Sequence, residues 1–304
     1  MSQPRSDLPA NLPSWRSMLF VPVTRDKFVA SAHTRGADAI ILDLEDSVAE
    51  SEKARARTLV PTAAGQVGKS GADVLVRINR PWRHAFRDIE AVVGPQVAAL
   101  MCPKVESPEH LGVIAEMLDA LEAERGLSPG HTRLVALVET ADAYFRVREI
   151  AKATPRLVAL NLGAEDFATA LGMEPIGETL QGPKQTIIIA ARAAGIMPIG
   201  FMGTVADFDD LDAFRATIRR SRRFGFVGAS CIHPSQVPIL NEEFGWSDAE
   251  IDRARRMVAA YDAAKAQGLG AVTFEGKMID VPVVERAEAL IRQAERQRAR
   301  RGPA

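Results

Sequence analysis

The chain has 304 residues, 47% of them hydrophobic and 25% charged, a balance that fits a folded domain with a substantial core and excludes disorder at scale. Its 38 basic and 39 acidic side chains leave a formal net charge of −1, so no global field draws it to nucleic acid or to a membrane surface. No apolar run reaches the roughly 18–20 residues of a bilayer span, the start lacks the apolar core of a signal peptide, and Cys102 and Cys231 form neither a metal-ligand spacing nor a disulfide framework, so a reduced, cytoplasmic protein is expected.

After a flexible N-terminus expected over 1–14, short apolar segments rich in β-branched residues alternate with amphipathic helical stretches. The strand candidates are SMLFVP from Ser17, AIILDLE from Ala39, DVLVRIN from Asp73, ALMCPKV from Ala99, RLVALVET from Arg133, LVALNLGAED from Leu157, PIGFMG from Pro198 and GASCIHP from Gly228. Helices between them begin at signals such as Ser107 followed by Pro108 and end at glycines such as Gly36 and Gly195. Repeated βα units of this number predict an α/β fold, a closed (β/α)8 TIM barrel over 15–245. An open doubly wound sheet more often has a Gly-rich first turn, and neither GxGxxG nor a P-loop occurs.

A C-terminal helical extension over 246–304 exceeds what a barrel needs. Ser247 and Glu250 form a capping box that opens a helix to about Lys265; AVTFEGKMI from Ala271 has β character, and a second helix starts near Val281. The extension either packs on its own barrel or reaches a neighbouring subunit. The arginines at 219, 220, 222 and 223, in the helix after the seventh strand, read as a solvated face or salt-bridge donors rather than a nucleic-acid surface.

In a closed barrel the active site lies at the C-terminal ends of the strands, which gives residues there a functional prior. Those ends carry Asp43, Glu45 and Asp46, then Arg77 and Asn79, Lys104 and Glu106, Glu139, Glu165 and Asp166, and finally His233. So many carboxylates near one mouth repel unless a cation compensates. A hard divalent ion would do so, since Mg²⁺ takes one or two carboxylates with substrate oxygens and water. Glu139 and Asp166, ending neighbouring strands, are the best pair for one ion; the alternative is a pair of ion-paired or helix-capping acids. Arg77 suits a carboxylate or enolate oxygen, or equally a structural salt bridge to Glu45 or Asp43.

The motifs RSMLFVP, LDLEDSV, VRIN, CPKVES, VET, GAEDF, CIHPSQ and GKMIDVPVV, in this order from about Arg16 to the final helix, resemble the citrate lyase beta-subunit-like family of acyl-CoA lyases, which includes malyl-CoA and citramalyl-CoA lyases. The resemblance implies a carbon–carbon lyase that cleaves or forms a carboxylated 3-hydroxyacyl-CoA, giving an acyl-CoA and a 2-oxo acid, with Mg²⁺, or Mn²⁺ in its place, as cofactor. It implies Glu139 and Asp166 as metal ligands and Arg77 as the contact to the oxo-acid oxygens. The thioester surface would run along Phe20, Arg25, Lys27, Glu45, Asp46 and Lys53, with Ile232 and His233 bordering the CoA site. Asp280 matches an acid/base aspartate that enters a neighbouring subunit's site, which implies a homo-oligomer, commonly a trimer.

The sequence departs from that pattern at Gly200, where many relatives carry an aspartate, at Ser31, where some have a lysine, and at Phe20, a tyrosine in some members. The turn over Gly200–Asp207 therefore leaves the acyl group and oxo acid open. A thioesterase, a CoA-independent metal-dependent aldolase and a non-catalytic lyase subunit are the competing readings.

Overall fold

The protein was analysed as a computed structural model that describes residues 8–9, 11–204 and 210–301. The described residues form two compact units, Trp15–Phe244 and, separately, the segments up to Ser14 and from Gly245 onward. Among them, no helix is long and apolar enough to cross a membrane.

The larger unit is a parallel sheet of eight strands: β1 (Ser17–Pro22), β2 (Ala39–Asp43), β3 (Asp73–Arg77), β4 (Ala99–Cys102), β5 (Arg133–Val138), β6 (Leu157–Leu162), β7 (Met197–Pro198) and β8 (Ala229–Cys231). Their order is β7-β6-β5-β4-β3-β2-β1-β8. The ends meet in a parallel bridge between Ile199 and Gly228, where the Gly200 N–H donates to the Gly228 carbonyl at 2.8 Å and the Val227 N–H to the Pro198 carbonyl at 3.1 Å. These bonds close the sheet into the expected α/β barrel. All five residues of β2 are buried, as a strand covered on both faces requires, and the continuous run AIILD records that.

The strands end earlier than the apolar pattern suggests. The second stops at Asp43 because the Asp43 carboxylate accepts the backbone N–H groups of Glu45 and Ser47, turning the chain out of the sheet. The sixth stops at Leu162, and Glu165 and Asp166 occupy instead the first turn of a helix, Ala164–Leu171, where acidic side chains favour the helix dipole. The seventh is reduced to Met197–Pro198 before the chain turns at Gly200, whose φ of 131° is open to glycine. Of the divergent turn, residues 205–207 lie outside the described residues.

In the smaller unit, the helix Asp248–Ala266 opens with the capping box of Ser247 and Glu250 in place. The segment with β character is an antiparallel hairpin, Val272–Phe274 with Lys277–Ile279, turning through Glu275 and Gly276, both at positive φ. A second helix, Val281–Arg301, follows. Ala254, Met257 and Tyr261 of the first helix pack with Ile279, Val284 and Ala287 into a core of this unit's own.

Candidate active site

The polar residues at the C-terminal ends of β2 and β3 meet in one ion-pair network. Arg77 ends β3 directly opposite Asp43 of β2, and its fork grips that carboxylate twice, Nε to Oδ1 at 2.7 Å and Nη2 to Oδ2 at 2.8 Å. Its remaining nitrogen, Nη1, lies 3.0 Å from both Glu45 Oε2 and Asp46 Oδ2. The guanidinium stands 4.9 Å from the centre of the Phe20 ring, an aromatic floor that needs no hydroxyl. Burial opposes ionisation of Asp43, but the Arg77 hydrogen bonds and charge outweigh it and hold the carboxyl below its usual range. Glu45 is instead pushed up by burial, which Arg77 offsets only in part.

Glu139 follows β5 and is 5% exposed. Its Oε2 accepts the main-chain N–H of Lys104 at 2.6 Å. A Cβ at Gly163 would collide with the same carboxylate, so the close approach of the chain after β6 needs glycine there. Burial, and then the charge of Glu45, push the Glu139 carboxyl up to about 7. Asp166, from the helix after β6, is half-exposed and receives the Lys104 ammonium at 3.0 Å; the same ammonium lies 3.3 Å from Glu45 Oε1. Lys104 presents its N–H to Glu139 from a left-handed backbone, φ 47°, unfavourable by about 1 kcal/mol for a residue with a Cβ.

Two adjoining cavities share Phe20, Asp46 and Arg77 as a common wall. The smaller, about 200 Å³, is lined by Glu139, Gly163 and Asp166 together with Asn161, Lys184 and the Gly200–Phe201 turn. The larger, about 820 Å³, runs along Leu19–Pro22 past Lys27, Ser31 and Arg35 to Ile232 and His233. The structure thus gathers Phe20, Lys27, Asp46, Arg77, Ile232, His233, Glu139 and Asp166 around one composite cleft, with Glu45 bonded to Arg77 beneath it. Arg25 and Lys53 line neither cavity: Arg25 precedes the helix Asp26–Ala32, and the buried Lys53 ammonium donates to the carbonyls of Leu44 and Glu45. Arg35, one turn beyond Ser31, stands in the cleft as a second cation beside Lys27. Asp280 precedes the helix Val281–Arg301 in the smaller unit.

Two lysines in this site had no role assigned from the sequence, Lys104 although it stands among the strand-end residues and Lys184 altogether. Lys104 lay in the quoted CPKVES motif, but nothing in a sequence marks a lysine as left-handed. Lys184, on the helix Gly177–Ala194, is buried with its ammonium donating to the carbonyls of Phe201 and Gly203, and burial pulls it down to about 8. It fixes the turn that forms one wall of the smaller cavity. Cys102 and Cys231 are buried, with their thiols pushed up by burial and unsuited to act as nucleophiles.

The donor set of the smaller cavity fits a hard divalent cation. Two carboxylates from adjoining elements line one space and Glu139 is buried with an excess of negative charge around it, while among the described residues no group of three or more His, Cys, Asp or Glu side chains is placed to hold a metal ion. Oxygen donors in an open, incomplete set are what Mg²⁺ accepts, since water and substrate complete its octahedron.

Residues 16–234 match the model of a family described as HpcH/HpaI aldolase/citrate lyase. The chain is 35% identical over 303 residues to an L-malyl-CoA/beta-methylmalyl-CoA lyase of Cereibacter sphaeroides, covering 92% of this chain and 94% of the relative. It is 36% identical to the citrate lyase subunit beta of Escherichia coli K12, covering 92% and 93%. Among solved structures, protein CitE from Mycobacterium tuberculosis in complex with magnesium, acetoacetate and coenzyme A superposes with a TM-score of 0.71 at 31% identity, covering 96% of this chain and 99% of that one. A citrate lyase from Burkholderia xenovorans LB400 has the same fold, with a TM-score of 0.80 at 23% identity, covering 96% and 94%.

Proposed function

The chain belongs to the HpcH/HpaI aldolase/citrate lyase family and is a carbon–carbon lyase, and on that premise we propose that it cleaves a carboxylated 3-hydroxyacyl-CoA of the malyl, citramalyl or citryl kind into an acyl-CoA and a 2-oxo acid. The observation that carries this reading is the pairing of a small carboxylate-lined cavity with a larger cleft bearing Lys27 and Arg35, joined at Arg77. The small one has the chemistry for an oxo acid and the large one the length and charge for a thioester cofactor. Magnesium is the cofactor; held by Glu139 and Asp166, it supplies a Lewis acid toward the oxygens of the oxo acid.

The rest of the work falls to the chain's own groups. Lys27 and Arg35 bind the phosphates of the CoA moiety, and the apolar stretch Leu19–Pro22 with Ile232 shields its arm. Cleavage passes the proton of the substrate hydroxyl through water to Asp280 and breaks the bond between the carbinol carbon and the thioester α-carbon, whose electron pair enters a thioester enolate. Arg77, already oriented by Asp43 and Phe20, stabilises that developing negative charge through its guanidinium charge. Asp280, contributed by a neighbouring subunit of a cytoplasmic homo-oligomer, most simply a trimer, then delivers a proton to the enolate carbon. In the reverse direction the same groups perform a Claisen-type condensation.

The test is to incubate the purified protein with Mg²⁺ and malyl-, β-methylmalyl-, citramalyl- and citryl-CoA in turn and to assay the 2-oxo acid. Release of glyoxylate, pyruvate or oxaloacetate from one of them is the expected outcome. Release of free CoA without oxo acid would make the protein a thioesterase, and no turnover of any thioester would reject the reading.

A further inference from the structure

Lys104 is bonded to both carboxylates read as metal ligands, through two different parts of the residue. Its main-chain N–H donates to Glu139 Oε2 at 2.6 Å, and its ammonium lies 3.0 Å from Asp166 Oδ2. A third carboxylate, Glu45, sits 3.3 Å from the same ammonium. The N–H reaches Glu139 because the backbone is left-handed, with φ 47°. Glycine would supply the same N–H without strain, so a lysine at this position points to a task for its ammonium. The side chain is 36% exposed, so its ammonium is carried on a four-carbon stem at the cleft rather than sealed in the core.

We propose that Lys104 is a positioning residue and the resident counter-ion of the metal site: its ammonium aligns Asp166 and Glu45 before the divalent cation arrives, and then competes with that cation for Asp166. This rests on the reading of Glu139 and Asp166 as magnesium ligands. A fixed positive charge a few ångströms from an incoming divalent ion weakens its binding. The same charge keeps the half-exposed Asp166 from rotating away and spreads the mutual repulsion of Glu45, Glu139 and Asp166. Lys104 therefore trades metal affinity for carboxylate geometry. A purely structural lysine makes the opposite prediction, because its loss would loosen the site and weaken the metal along with the fold.

The two are separated by titrating Mg²⁺ alone into the full-length protein by calorimetry, with Lys104→Met, Lys104→Gly and Lys104→Arg beside the unsubstituted chain. Lys104→Met and Lys104→Gly should bind Mg²⁺ about tenfold more tightly, and Lys104→Arg should stay near the unsubstituted value. In turnover, the Met variant should lose kcat at nearly constant KM for the thioester. Lys104→Gly should melt no lower than Lys104→Met, since it relieves the left-handed strain, which keeps a folding defect from imitating the result. Equal or weaker Mg²⁺ binding in both Met and Gly variants overturns the proposal while leaving the metal ligands in place. If the unsubstituted chain binds no Mg²⁺, or Glu139→Gln binds it equally well, the ligand reading fails and the role of Lys104 falls with it.

Discussion

At the end of the barrel where the strands begin, Arg156 and Glu122 face each other in a two-pronged pair, at 2.8 Å and 2.6 Å, and the N–H groups of Thr132 and Gly130 supply the remaining hydrogen bonds to the carboxylate. Arg16 grips Asp38 in the same way, at 2.7 Å and 2.6 Å. Although burial opposes it, this bonding draws the Glu122 carboxyl down to about 2. Where the strands finish, the carboxylates of Asp43, Glu45, Asp46, Glu139 and Asp166 have only Arg77 and Lys104 as cationic partners among the described residues, and Glu139 is pushed up to about 7. One end matches its charges and gains rigidity. The other leaves negative charge uncompensated, and an uncompensated cluster in a cavity is where a ligand supplies the missing cation.

Substitutions at the two ends should therefore fail in different currencies. Glu139→Gln should lower kcat/KM by about a thousandfold or more, as loss of a metal ligand does, while the melting temperature holds or rises because a strained buried charge is gone. Steady-state kinetics with a melting curve reads both; a Glu139→Gln protein that stays active breaks the contrast. At the matched end, Glu122→Gln leaves Arg156 with the exposed Asp119 carboxylate and the Thr132 carbonyl but without its buried partner, and should cost about 2 kcal/mol in denaturant unfolding, with kcat of the folded fraction unchanged.

The pH response sharpens the contrast. The raised Glu139 carboxyl must lose its proton to bind a cation, so Mg²⁺ affinity should fall about tenfold per pH unit below about 7, measurable by calorimetry at constant ionic strength. For stability the sign is reversed. With the folded value above the unfolded one, the protonated carboxyl favours the native state at low pH, and that contribution is lost as pH rises toward about 7; Glu139→Gln should flatten this part of the curve. Glu122, drawn down, stabilises at neutral pH and loses its contribution only as pH falls toward about 2. The smallest effect is expected in the larger cleft, where Arg35→Ala should raise KM for the thioester roughly fivefold without changing kcat, and less so at high salt.

The barrel was legible because each strand is a short apolar run bounded by helical periodicity, and eight such runs leave few topologies. What misled was continuity: NLGAED stays in register with the strand before it, yet Glu165 and Asp166 begin a helix because two acids after a glycine suit a helix N-terminus. Arg77, Glu139 and Asp166 could be found as polar residues closing apolar runs. Lys184 could not, since it enters the site from a helix and reads as an ordinary polar position, and Asp280 was visible only through the GKMID motif. Arg25 and Lys53 show the limit of carrying over a charged segment: within one stretch, backbone direction alone decides which cation faces the cleft.

The closure of the barrel has a further consequence. Between β7 and β8 the ladder is reduced to a bridge at Ile199 and Gly228, whereas β1 and β2 are paired over five residues. A cylinder this uneven has a seam, and the seam runs into the turn at Gly200 that walls the smaller cavity. Amide protons at Gly200 and Val227, which bond across that seam, are the ones expected to exchange with solvent first among the barrel amides. Changes of residue along that line can reshape the pocket without disturbing the better-laced strands, which makes the seam the place where a lineage of such enzymes is most free to alter what it accepts.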